Sequence, residues 1–218
     1  MSSRGLFITV EGGEGVGKST NIDFLRLHLE SRGVPLVITR EPGGTRLGED
    51  IRGLLLQVRE EAVSPLAELM LIFAARAQHI EEVIEPALAA GKWVLCDRFT
   101  DATYAYQSGG RAIDSDYVRT LEQLTQGDLR PDYTILLDAP VDTGMARARG
   151  RGELDRFERE ERAFFQRVRA TYLQLAEEGS GRYRLVDASL PLEEVQAQLG
   201  KLCRELLTCW EVRHAGGG

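Results

Sequence analysis

Apolar residues gather in five short runs, Leu6–Val10, Leu36–Thr39, Trp93–Cys96, Tyr133–Leu137 and Tyr183–Val186. The runs are continuous rather than alternating, which suits strands of a parallel sheet covered on both faces. Between them the apolar positions recur at helical spacing. Ile22, Leu25 and Leu29 form one stripe that stops at Gly33, a residue suited to a helix C-terminus. Ser64 followed by Pro65 reads as an N-cap and first helical residue, opening a long helix to about Ala90. Further helical patterns cover roughly Asp116–Thr125, Val141–Arg149, Asp155–Glu178 and Leu192–Trp210. Strands alternating with helices predict an α/β fold, a doubly wound five-stranded parallel sheet flanked by helices. With no internal repeat or linker, one domain spanning residues 1–218 is expected.

Composition narrows the function. Hydrophobic residues make up 43% of the chain and charged ones 28%, the makeup of a chain with a sizeable core. The formal net charge of -7 argues against general nucleic-acid binding, which draws on clustered Lys and Arg. The run Leu6–Val10 is too short for a signal peptide, and no run is long enough to span a membrane. A cytoplasmic protein is expected. Cys96, Cys203 and Cys209 form no CxxC pair and have no His at metal-ligand spacing, so they read as reduced thiols. The tail from Ala215 to Gly218 is expected to fray.

The first run leads through Glu11 into Gly12-Gly13-Glu14-Gly15-Val16-Gly17-Lys18-Ser19-Thr20 and then a helical stripe. This is G-x-x-x-x-G-K-[ST] in its required strand–loop–helix setting. Glycines let backbone N–H groups turn inward around phosphate oxygens, and the next helix adds its unpaired N-terminal donors. Lys18 supplies a cation for β- and γ-phosphates, and the Ser19 hydroxyl is placed to ligate Mg²⁺. The loop predicts ATP binding but not the reaction. No Asn-Lys-x-Asp segment is present to read guanine. An ATP-driven switch or a kinase for a nucleoside monophosphate both remain, so an acceptor site must decide.

Three segments supply one. Thr39-Arg40-Glu41-Pro42-Gly43-Gly44-Thr45 follows the second strand, and Asp97-Arg98 follows the third and leads to Tyr106-Gln107 and Arg111. Both lie beyond carboxyl ends of strands, where open α/β sheets bind ligands. Arg76 falls on the same helix face as Ile72 and Phe73 and needs a partner there. Asp97 is suited to reach Mg²⁺ through water, and Arg98 to hold a phosphate bidentately. The segment from Arg147 to Glu158 carries Arg147, Arg149, Arg151 and Arg156 around Gly150 and Gly152. A flexible, arginine-rich stretch fits a lid that meets charge on a transferring phosphoryl group, and the glycine loop has no arginine of its own. His28, His79 and His214 read as surface residues.

Taken together, these segments resemble the thymidylate kinase family across nearly the whole chain, in the bacterial type with its catalytic arginine in the lid. The resemblance implies transfer of the γ-phosphoryl group of ATP to dTMP with Mg²⁺, by a homodimer. It implies Lys18, Arg98, Arg149, Arg151 and Glu14 as catalytic residues, and Ser19 and Asp97 as the metal side. For dTMP it implies Glu41, Arg52, Phe73, Arg76, Arg98, Thr103, Tyr106 and Gln107, with Arg76 on a thymine carbonyl, Arg98 on the acceptor phosphate and Tyr106 against the 2′ position. It also marks Glu41–Pro42 as a candidate cis bond. Two departures stand out. The family's stacking Phe commonly lies four residues before the arginine, where this chain has Ile72; Phe73 is the expected substitute. After Asp-Arg the family often has Tyr, and Ser three residues later, where this chain has Phe99 and Ala102.

Overall fold

A computed structural model describes residues 4–150, 155–179 and 181–215, the last five as backbone only. Strands β1 (Phe7–Glu11), β2 (Leu36–Arg40), β3 (Trp93–Asp97), β4 (Tyr133–Asp138) and β5 (Tyr183–Asp187) form one sheet in the order β2-β3-β1-β4-β5. All four pairings are parallel. The five expected runs are these five strands, each ending one residue further on.

Strand alternation sorts β1 between two cores. Leu6, Ile8 and Val10 face α1 (Lys18–Glu30) and α9 (Leu192–Ala215), packing with Ile22, Leu25, Leu29, Leu199 and Leu202. Phe7 faces the other way, onto Ile84, Leu88 and Phe99. On that same side Leu136 of β4 meets Phe164, Phe165, Val168 and Tyr172 of α8 (Arg162–Glu178). A strand buried on both faces cannot alternate in polarity, and β1 is buried at every residue.

The helical reading needs three corrections. The long helix expected from Ser64 to Ala90 is α3 (Pro65–His79), a π-helical turn (Ile80–Ile84) and α4 (Glu85–Ala89). The helix expected from Asp155 starts at Arg162, because the Asp155 carboxylate accepts from the N–H groups of Phe157 and Glu158 and holds a turn there. Two further helical pieces follow the acceptor segments: α2 (Arg46–Leu56), and α5 (Thr100–Thr103) running into a π-helical segment, Tyr104–Gly110. The remaining helices are α6 (Ser115–Gln126) and α7 (Val141–Arg149).

Candidate functional site

The glycine loop connects β1 to α1 and is held by close backbone approaches. A Cβ on Gly12 would lie 2.4 Å from the Leu137 carbonyl oxygen at the end of β4. One on Gly15, whose φ is 69°, would lie 1.9 Å from the Gly144 oxygen of α7, and one on Gly144 would lie 2.3 Å from the Glu14 oxygen. Loop and α7 therefore touch backbone to backbone, which only a glycine on each side permits. Val16 is buried in the core beneath the loop, so it offers its backbone alone. Lys18 curls back and donates to the carbonyls of Gly12 (3.3 Å) and Gly13 (3.1 Å). Burial lowers its pKa, and the nearby Arg98 charge lowers it further, against Glu14, Asp97 and Glu11.

A cavity of about 250 Å³ opens from this loop. Glu14, Gly15, Gly17, Lys18 and Ser19 line it, together with Glu41, Arg52, Ile72, Arg76, Asp97, Arg98, Thr103, Tyr106 and Gln107, and with Asp155, Phe157 and Glu158. Residues drawn from six separated stretches of sequence thus share one space. Gly12, Gly13, Val16 and Thr20 do not line it.

Its most buried wall is a polar network. Arg76, 1% exposed, donates through Nε to Glu41 Oε2 (2.7 Å) and through Nη2 to Thr103 Oγ1 (2.9 Å). The other Glu41 oxygen meets His79 Nδ1 at 2.9 Å, and His79 Nε2 meets Thr39 Oγ1 at 2.6 Å. Arg76 Nη1 is buried without a partner, a costly state for a guanidinium N–H unless a ligand accepts from it. His79 is fully buried, which corrects the surface reading; it lies three residues after Arg76 on the same helix face, a spacing that marks it as part of the wall. The Glu41–Pro42 bond is cis. Arg52 donates to the Pro42 carbonyl at 3.0 Å.

Phe73 does not reach the cavity. One position along α3 turns its ring toward α6, where it packs with Leu69 and Val118, and Ile72 lines the cavity instead. The Phe73 ring supports the Arg76 guanidinium from behind, 4.7 Å away, with Phe99 at 5.0 Å.

Arg98 sits at the junction of loop and cavity. Its φ is 66°, a left-handed conformation that costs a non-glycine residue roughly 1–2 kcal/mol. Its N–H bonds the Val10 carbonyl (3.0 Å), and the side chain turns back over the loop. Nη1 donates to Gly12 O (2.9 Å) and Tyr172 Oη (3.2 Å), and Nη2 to Glu14 Oε1 (2.6 Å) and Tyr106 Oη (2.9 Å). Tyr172 in turn donates to Glu11 Oε2 at 2.8 Å, and Phe99 N–H to Glu11 Oε1 at 2.7 Å. Burial, aided by the Asp101 charge, pushes the Glu11 carboxyl up to about 7 against the pull of Arg98 and the two donors.

Asp97 and Ser19 are the candidate metal residues, and both line the cavity beside Lys18. Asp97 Oδ1 is buried with no hydrogen-bond partner. An orphaned carboxylate oxygen and a loop hydroxyl lining one cavity fit a hard, oxygen-loving cation with water in its shell.

A family model described as thymidylate kinase matches residues 10–199. The chain belongs to the thymidylate kinase family. It is 60% identical over 203 residues to the thymidylate kinase of Pseudomonas savastanoi pv. phaseolicola (strain 1448A / Race 6), covering 93% of this chain and 97% of the relative. It is 56% identical over 203 residues to that of Ectopseudomonas mendocina (strain ymp), with the same coverage. The crystal structure of thymidylate kinase from Ehrlichia chaffeensis superposes with a TM-score of 0.72 at 31% identity, covering 91% of this chain and 98% of that one.

The arginines expected to form a lid separate by contact. Arg147 donates to the carbonyls of Ala188 (2.7 Å) and Ser189 (3.4 Å) and so ties α7 to the turn after β5. Arg149 ends α7 and is exposed. Arg156 is partly buried and bonded to α2 and α3. Arg151, the other arginine named as catalytic by the thymidylate kinase resemblance, lies outside the described residues.

Proposed function

We propose that this chain carries out the reaction of its family, moving the γ-phosphoryl group of ATP to dTMP to give dTDP and ADP in nucleotide biosynthesis. The observation that carries the reading is the single cavity joining a phosphate-type glycine loop to an arginine wall with one buried, unpartnered donor, Arg76 Nη1. That donor suits a carbonyl on a pyrimidine base. Glu41, Thr103, Arg52, Tyr106 and Gln107 complete the acceptor pocket, with Ile72 rather than Phe73 as its apolar surface. Tyr106 crowds the sugar's 2′ position and favours deoxyribose.

The backbone from Gly12 to Thr20 cradles the ATP phosphates, and Lys18 exchanges the Gly12 and Gly13 carbonyls for phosphate oxygens. Arg98, held by Glu14 and Tyr106, presents its charge to the acceptor phosphate. That phosphate is a monoester with a second pKa of about 6, so it arrives largely dianionic and needs no general base. Ser19 and Asp97 would hold Mg²⁺, which when bound neutralises charge on the phosphate oxygens. Arg149 and Arg151 are the arginines assigned to meet the charge of the transferring group. Catalysis then rests on positioning and charge neutralisation.

The reading extends to a single kinase domain working in the cytoplasm as a homodimer. All three cysteines are free thiols, in keeping with a reducing compartment. Dimerisation is supported by the apolar face of α3 and α6, where Leu66, Met70, Tyr117 and Leu124 are each more than half exposed. The test is to incubate the protein with ATP, Mg²⁺ and dTMP and separate the nucleotides. Equal amounts of dTDP and ADP are expected. ADP formed without dTDP would overturn the kinase reading in favour of an ATPase.

A further inference from the structure

Glu68 is fully buried on α3, two helical turns before Arg76. No part of the mechanism above uses it, and it lies behind the cavity wall rather than on it. Yet its carboxylate gathers donors from three residues in two separate stretches. Gln107 Nε2 reaches Oε1 at 2.9 Å, Arg111 Nε reaches Oε1 at 3.3 Å, and Arg156 Nη2 reaches Oε2 at 2.5 Å. Arg156 also donates through Nε to the Leu55 carbonyl (2.7 Å), and its N–H bonds the Leu56 carbonyl (3.3 Å). The Phe157 ring is in reach of both guanidiniums, 4.3 Å from Arg156 and 5.6 Å from Arg111. Asp155, Phe157 and Glu158 are themselves cavity walls.

The geometry points to Glu68 as a positioning residue that latches the 155–158 wall onto the acceptor pocket and fixes the Gln107 amide. Both effects come from one charge. A carboxylate only accepts, so it holds the amide with Nε2 inward and leaves the carbonyl as the group Gln107 offers a ligand. The same carboxylate holds two guanidiniums by charge-assisted bonds. Losing the charge frees the amide to turn and the wall to lift. None of these bonds reaches the glycine loop that carries ATP in the proposed reaction. This inference rests on the acceptor pocket taking dTMP, but the latch itself exists without a ligand.

The test uses Glu68→Gln, Arg156→Gln and the double variant in the full chain. Hydrogen exchange on the nucleotide-free protein reads the latch directly: the peptide covering 155–161 should exchange at least about tenfold faster in each variant, the loss expected for one bond to a charged group. Steady-state kinetics should show the KM for dTMP raised about tenfold in each and the KM for ATP within about twofold. The double variant should be no worse than the worse single, because both break one interaction. Unchanged exchange, equal rises in both KM values, or additive effects would each overturn the latch. Should Glu68→Gln fail to fold, Arg156→Gln carries the exchange and kinetic arms alone. If the parent itself makes no dTDP, the kinase reading fails, while the exchange result still decides the latch.

Discussion

Two buried carboxylates of this chain sit in opposite circumstances. Glu41 is matched by Arg76 and His79, whereas Glu11 has only hydrogen bonds and the more distant Arg98 charge against its desolvation. In the unfolded chain Glu11 ionises near its ordinary value of 4.5, but in the fold it keeps its proton up to about 7. Stability linked to Glu11 is therefore intact below 4.5, falls as pH rises, and is lost above about 7. Glu11→Gln cannot ionise and keeps an oxygen for Phe99 N–H. Relative to the parent it should gain about 3 kcal/mol between pH 4.5 and 8, read by urea unfolding at both pH values; a constant difference would show that folding does not raise the Glu11 pKa. For Arg76→Met the expectation is a loss of about 3–5 kcal/mol, because Glu41 keeps its charge in a buried site. Adding Glu41→Gln should restore part of that loss in the same unfolding measurement. Arg76 was legible from its place on an apolar helix face. His79 and Phe73 were misread, because a helix position shows only which residues share a stripe. Whether that stripe faces water, α6 or the cavity depends on neighbours distant in sequence.

At the level of elements, α7 touches the phosphate loop at Gly144 and ends on Arg147 and Arg149. Its Gly144 carbonyl lies where a side chain on Gly15 would be, so loop and helix move together or not at all. Gly144→Ala places a Cβ 2.3 Å from the Glu14 carbonyl oxygen, and the loop must shift. A fall of at least about tenfold in kcat/KM for ATP is expected, since misplacement by an ångström can cost 10²-fold; unchanged ATP kinetics would show that the contact relaxes freely. On the same helix, Arg149→Ala should lower kcat by about 10³-fold, the low end for an arginine meeting transition-state charge, with little change in KM. Arg147→Ala should keep kcat within a few-fold, since its guanidinium is bonded to Ala188 and Ser189. Equal losses in both would remove α7 from the chemistry. The helix α2 escaped the sequence reading although Thr45 caps it, accepting from Gly48 N–H at 3.0 Å. The sequence reading stops at Thr45 and assigns no element to the stretch beyond it. The π-helical turns have no apolar signature of their own, because they form where tertiary contacts widen a helix.

For the whole molecule, the sheet was readable because each strand is a buried run between helical stripes, and parallel pairing follows from that alternation. Strand order did not follow from it; the placement of β1 between β3 and β4 comes from packing on both faces. The exposed face of α3 and α6 is likewise invisible to periodicity, since Met70 and Leu124 look like core residues in sequence. Leu124→Lys with Met70→Lys should abolish the proposed homodimer in sedimentation at micromolar concentration, with the fold retained; a dimer that persists in the variant would place the interface elsewhere. In the proposed reaction the cavity as a whole joins an ATP loop to a pocket that reads a thymine nucleotide. The most direct test of that reading is kcat/KM for ADP formation across dTMP, dCMP, dGMP, AMP and no acceptor, at fixed ATP and Mg²⁺. A site that hydrogen-bonds its substrate through buried donors should favour dTMP by at least about 10²-fold over the others. Equal turnover with every acceptor, or with none, would contradict it.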